Sequence, residues 1–304
     1  MFRRLLVPLD GSPLAESVLP AASVLADTFH AELLLLHVVE QGAPRKVHGQ
    51  RHLAGAQEAA AYLQETAQRI AGWKSGVTVN VHVHTETVRD TAAGIAGHEE
   101  EVPLDLVIMS VHGRGRTARL LSRGLAQEVL ARGTTPVLLL HAEDPRVGQR
   151  FPCRSVLIPV DPDARHRQSF KGALEFVRDL AAPVKLVLVV PTLSTLPPKS
   201  AASGRLMPGT ADALLDISAE GAKSLLAERR AQAELLGLKA STDVLRGHPA
   251  RVIVKAAGLL GSDLVILGTH GRSGMEAFWE GSVAHGVYSR SLLPLLLIPE
   301  GRPG

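Results

Sequence analysis

The chain repeats itself, and the length of the repeat restricts what it can fold into. At an offset of about 150 residues, RRLLVPLD (Arg3–Asp10) pairs with RSVLIPVD (Arg154–Asp161), each a short aliphatic run closing in Pro-x-Asp. Further on, Pro103–Gly115 (PLDLVIMSVHGRG) pairs with Gly261–Ser273 (GSDLVILGTHGRS), and Thr134–His141 (TTPVLLLH) with Leu292–Pro299 (LLPLLLIP), in the same order. A unit of this size is a whole domain, not the 20–50 residue period of a solenoid. Two domains are expected, residues 1–146 and 153–304. The polar stretch Ala142–Pro152, with Pro145, Gly148 and Pro152, is the join.

Each half alternates short aliphatic runs with helical patterns. In the first half a helix over Leu14–Thr28 leads to a strand at Leu33–Val39, and a helix over His52–Gly72 leads to a strand at Val77–His84. The second half has strands near Leu186–Val190, Ala240–Leu245, Leu264–Gly268 and Leu295–Ile298. Apolar residues make up 45% of the chain and aromatics only 3%, so the cores are aliphatic, which suits parallel strands buried under helices. The expected fold class is α/β: two tandem doubly wound domains, each a five-stranded parallel sheet of order 3-2-1-4-5 flanked by helices. Ligands of such sheets sit at the carboxyl ends of the strands, where the winding reverses.

Several classes find little support. One cysteine, Cys153, allows no intrachain disulfide and no cysteine-based zinc cluster, and points to a reducing compartment, the cytoplasm. The opening apolar run stops at Asp10, too short for a signal peptide, and no stretch approaches the ~20 apolar residues of a membrane span. Net charge is +3, with basic and acidic residues interspersed, so neither nucleic acid nor membrane is an expected partner. No metal site is expected among the side chains.

The chemistry lies after the fourth strand of the second half: Gly268-Thr-His-Gly271, nine residues, then Gly281-Ser282-Val283 opening a helix expected to reach about Arg290. Gly268 and Gly271 let the backbone turn and approach a ligand closely. Gly281 and Ser282 fall at a helix start, where free N–H groups favour an anion. This pattern resembles that of the universal stress protein family, whose ATP-binding members carry G-x-x-G, nine residues, then G-[ST]. Pro159-Val160-Asp161 is similar to the family's strand-one ending, and Arg246–Ala250 (RGHPA) to its turn into the third helix. The resemblance covers nearly the whole chain, twice.

The resemblance implies an ATP site, with Mg²⁺, in the second domain. Its cofactor-binding residues would be Pro159, Val160, Asp161, Val190, Gly268, His270, Gly271, Gly281, Ser282 and Val283, with Asp161 beside the adenosine, Val190 at the base and the glycine loop around ribose and phosphates. Pro191 competes with Val190 for its place. The first half departs from the pattern. Its loop reads Ser110-Val-His-Gly113, ten residues, then Gly124-Leu125, so a glycine and the terminal hydroxyl are replaced and one residue is added. Its turn into the third helix, His84-Thr85-Glu86, lacks the glycine and proline. A secondary site there would use Asp10, Val38, Gly113 and Gly124.

Each of these residues also has a structural reading. Asp10 and Asp161 could cap the helices that follow them. His112 and His270 could fix their loops by hydrogen bonding. Arg114, Arg116, Arg119 and Arg123 could hold an anion or form a solvated loop, and the inserts Gln41–Gln50 and Thr192–Gly209 could cover a site or simply move. No acid–His–nucleophile set and no G-x-x-x-x-G-K-[ST] loop is present, so the chain is not expected to be an enzyme beyond slow ATP hydrolysis. The expected role is regulatory, in stress physiology, through nucleotide-dependent conformation. The alternative is a nucleotide-free interaction scaffold, with a homodimer or an intrachain pseudo-dimer formed through the last strands, Val137–His141 and Leu295–Ile298. An adenylyl-transferring enzyme is the third class, and the strand-one loops of such enzymes are absent.

Overall fold

A computed structural model describes residues 2–40, 46–47, 50–51, 53, 55–73, 76–88, 91–111, 123–142, 151, 153–161, 167–190, 192, 208–269 and 283–300. The chain divides into two compact units. One holds the first 152 residues together with the segment from Leu292 on, and the other holds Cys153–Thr269 and Glu276–Ser291.

The first unit begins with β1 (Arg4–Pro8), whose Leu5, Leu6 and Val7 are fully buried. Ser12 caps the short α1 (Pro13–Glu16) by accepting the Ala15 N–H at 3.1 Å. The helix α2 (Leu19–Phe29) follows as a separate element. A single helix over Leu14–Thr28 is therefore not formed: Pro20, in the first turn of α2, has no N–H with which to continue a helix from α1, so the chain restarts there. Next come β2 (Glu32–Glu40) and two two-residue strands paired antiparallel, β3 (Lys46–Val47) and β4 (Gln50–Arg51). The helix α3 (Ala56–Trp73) starts four residues later than the pattern suggested. It buries Ala59, Leu63, Thr66, Ala67 and Ile70, one stripe at helical spacing. Then follow β5 (Val79–Val88), α4 (Thr91–Glu101), β6 (Leu106–Val111), α5 (Arg123–Arg132) and β7 (Val137–His141). The parallel order β5-β2-β1-β6-β7 is the 3-2-1-4-5 winding.

The second unit repeats the plan with β8 (Val156–Pro159), α6 (Arg167–Leu180), β9 (Val184–Val190), α7 (Pro208–Leu235), β10 (Ala240–Arg246), α8 (Pro249–Leu259), β11 (Leu264–Thr269) and α9 (Val283–Tyr288). Its parallel strands run β10-β9-β8-β11, or 3-2-1-4. The edge strand β10 is largely exposed, and its ASTDVLR sequence is correspondingly polar. The fifth strand of this repeat, β12 (Leu295–Pro299), belongs to the first compact unit. There it pairs antiparallel with β7, Leu295 opposite Leu139 and Leu297 opposite Val137. No helix among the described residues is long and apolar enough to cross a membrane.

The β7 and β12 side chains are essentially all buried, so this pairing is a core element of the first unit. Truncating the fully buried Leu138 to Ala should cost about 2–5 kcal/mol of unfolding free energy in urea titration. Cys153 offers a pH-dependent check. Burial first, and the Asp263 carboxylate second, push its thiol from 9.0 up to about 12. The unfolded thiol thus loses its proton first, and the thiol's contribution to stability, full below pH 9, declines as pH rises towards 12. Native Cys153 should resist iodoacetamide at neutral pH and react once the chain is unfolded in urea.

Candidate ligand crevice at the carboxyl ends of the strands

The geometry of the site begins with a missing hydrogen. In a parallel sheet the N–H and C=O of a central strand point alternately to its two neighbours. Val160 N–H bonds the Val187 carbonyl of β9 at 2.7 Å, while the Ser155 carbonyl accepts the Asp263 N–H at the start of β11 at 2.8 Å. Pro159 therefore faces β11, and it has no N–H to give. Accordingly β8 stays in register with β9 through Pro159, but with β11 only at Val156 and Leu157. The first unit does the same. Leu9 N–H bonds Leu36 O at 2.8 Å, Pro8 faces β6, and the β1–β6 register covers only Leu5 and Leu6. At the other end the two strands are tied. The Asp105 carboxylate accepts the Arg3 and Arg4 N–H groups at 2.7 and 3.0 Å, and Asp263 accepts the Arg154 N–H at 2.8 Å. Strands one and four are joined at their amino ends and their ladder stops short of their carboxyl ends, at the switch point where ligands of such sheets bind.

In the second unit this switch point meets a set of expected residues. Beyond Pro159, Val160 is buried and Asp161 is exposed. Val190 is buried at the end of β9, and its carbonyl accepts the Gly247 N–H at 3.0 Å. Gly247 has φ +135°, and a Cβ there would lie 2.9 Å from Val252, so both backbone and space call for glycine. The following Pro249 starts α8. Gly268 is exposed near the end of β11, next to the buried Thr269. Val283, 38% exposed, is the first residue of α9. That helix packs on the start of α8 so closely that a Cβ on Gly286 would collide with the Cβ of Ala250. Arg290 closes the helix by donating from Nη1 to Gly286 O at 2.9 Å. α9 ends at Tyr288, two residues short of the expected Arg290. His270, Gly271, Gly281 and Ser282 lie outside the described residues.

The first unit presents a different arrangement. The Asp10 carboxylate accepts the Ser12 N–H at 2.9 Å, so Asp10 shapes the turn while Ser12 caps the helix. Gly11 has φ +86°, and a Cβ on it would lie 2.9 Å from Leu53 Cγ. The Asp10 carbonyl accepts the Leu53 N–H at 3.4 Å. Val38 is buried, Gly124 is the second residue of α5, and Gly113, His112 and Arg114, Arg116 and Arg119 lie outside the described residues. Strand register refines the comparison. Pro8 pairs with Leu36 and Pro159 with Val187, so Val38 corresponds to Val189, and Val190 to Val39. His37 corresponds to Leu188. The ring of His37 is almost fully buried, with Nδ1 2.7 Å from Leu9 O and Nε2 3.1 Å from Leu53 O. A histidine inside the aliphatic run LLLLHVV was the sequence signal for this feature; Leu53 gave none.

These features define a tandem doubly wound α/β protein whose strand-one to strand-four ladder stops early in each repeat. Comparison with known proteins agrees. The universal stress protein family model matches residues 1–141 and again residues 152–299, and the chain belongs to that family. A universal stress protein of Mycolicibacterium smegmatis is 23% identical over 97% of this chain and 96% of its own length. One from Methanocaldococcus jannaschii is 28% identical over 48% of this chain and 81% of its own. The crystal structure of a universal stress protein from Archaeoglobus fulgidus superposes with a TM-score of 0.65 at 18% identity, covering 98% of this chain and 97% of that one.

The Gly286–Ala250 contact sets the position of α9 on α8. Replacing Gly286 with Val should force the helices apart and cost about 1–3 kcal/mol, read as a lower midpoint in urea unfolding.

Proposed function

We propose that the second repeat binds an adenine nucleotide, ATP carried with Mg²⁺, and that the protein acts as a regulator whose conformation and interactions follow nucleotide occupancy. The observation that carries this reading is the crevice between β8 and β11. It is opened by Pro159 and flanked by the exposed Asp161 on one side and the exposed Gly268 on the other. The spacing of Gly268, Gly271, Gly281 and Ser282 supports a phosphate cradle on the same side. In this reading the Asp161 carboxylate accepts from ribose hydroxyls, Val190 and the Gly247 turn form an apolar wall for the base, and loop N–H groups with the Ser282 hydroxyl hold phosphate oxygens.

The six-residue α9 is too short to contribute a full helix dipole, so individual N–H donors carry the anion. Among the described residues no group of three His, Cys, Asp or Glu side chains could hold a metal. Mg²⁺ would come in with the nucleotide, since it is ordinarily bound through phosphates, water and one or two carboxylates. The output is binding and not turnover, because a regulatory ligand needs only different affinities for two conformations. Work in the cytoplasm fits the single, poorly ionised Cys153. The antiparallel β7–β12 pairing supports a second reading, a scaffold that supplies its own last-strand partner and works through its surfaces.

Isothermal titration of the full chain with ATP and Mg²⁺ separates the two. The nucleotide reading expects saturable binding that Gly271→Leu abolishes while the urea midpoint stays unchanged. No binding by the unsubstituted protein, with no nucleotide released on denaturation, would leave the scaffold; undiminished affinity in Gly271→Leu would reject the assigned loop.

A further inference from the structure

We infer that the first repeat closes its own crevice with Leu53, a built-in plug seated on the tip of β1 and clamped by His37. Leu53 is almost completely buried although it lies in neither a strand nor a helix. Three separate contacts fix it to the place where a ligand of this fold would enter. Its N–H reaches the Asp10 carbonyl. Its side chain covers Gly11, whose missing Cβ leaves room for the leucine Cγ and Cδ atoms. Its carbonyl meets Nε2 of His37, whose Nδ1 holds the Leu9 carbonyl. The imidazole thus spans the strand-one tip and the β4–α3 connection, donating to one carbonyl when neutral and to both when protonated.

The clamp belongs to one repeat only. Strand register puts Leu188 where His37 stands, and a leucine cannot bond two carbonyls. The Asp10 carboxylate is itself drawn into the arrangement, accepting the Ser12 N–H. The strand-one tip of the first repeat is thus covered by the chain's own Leu53. This inference rests on the nucleotide reading only for what would enter once the plug is removed.

Two measurements on the full chain test it. Hydrogen exchange needs no nucleotide. Amides of Gly11, Ser12 and Leu53 should be protected, and Leu53→Gly or the milder His37→Asn should speed Gly11 and Ser12 about tenfold. The interior amides of β1 and β2 should stay slow in both variants, which shows that the fold persists. Unchanged exchange at Gly11 and Ser12 in both variants would overturn the clamp. Photolabelling with 8-azidoadenosine, which does not depend on the phosphate loop, should mark only second-repeat peptides in the unsubstituted protein and also the Pro8–Ser12 peptide in Leu53→Gly. Equal labelling of that peptide in both proteins, or none in Leu53→Gly while the second repeat is marked, would overturn the plug. Absence of label everywhere would count against the nucleotide reading alone, with the exchange result still deciding the clamp.

Discussion

A proline at the end of a central strand determines where the ladder between strands one and four stops in each repeat. Pro8 and Pro159 each turn the donorless side of the strand towards strand four, so the ladder to that neighbour stops while the ladder to strand two continues. Asp105 and Asp263 hold the opposite ends of the same strands together. The sheet is thereby tied at one end and split at the other. The loops that follow strand four, and the exposed or buried state of the residues after the proline, take their meaning from that split.

Duplication then gave the two crevices different fates. In the second repeat the strand-one tip ends in an exposed aspartate, and α8 and α9 meet at Gly286 and Ala250 with no room for a side chain. In the first, the same tip is covered by Leu53, its aspartate is bonded into a turn, and a buried histidine bridges the two. The loss of the glycine loop pattern after β6 and the gain of an internal plug lie in one repeat. A crevice that no longer has to admit a ligand can be filled by apolar surface, which stabilises the unit by about 1.5–3 kcal/mol for a buried leucine.

Much of this was legible in the sequence, because a tandem repeat shows every element twice. Most strands fell within a residue or two of their places, since aliphatic runs bounded by turn residues admit few other readings; β5 runs four residues beyond the expected His84, to Val88. Helix boundaries were less legible. The break at Pro20 was visible as a proline yet hidden by the apolar pattern running through it, and α3 begins at Ala56, four residues after the expected His52. Strand register could not be read at all. Val38 and Val190, each expected at the end of its strand two, stand one register position apart when the repeats are compared through strand one. The plug was illegible for a similar reason: Leu53 is one apolar residue in a connection, and its role depends on a glycine and a histidine distant in sequence.

The most direct test of one open crevice per chain is a crystal structure of the full-length protein grown with ATP and Mg²⁺. The account predicts nucleotide density at the carboxyl ends of β8 and β11, with Asp161 at the ribose, and Leu53 still seated on Gly11 in the other repeat. Nucleotide in the first repeat with Leu53 in place, or a second-repeat crevice that stays empty under saturating ATP, would contradict it.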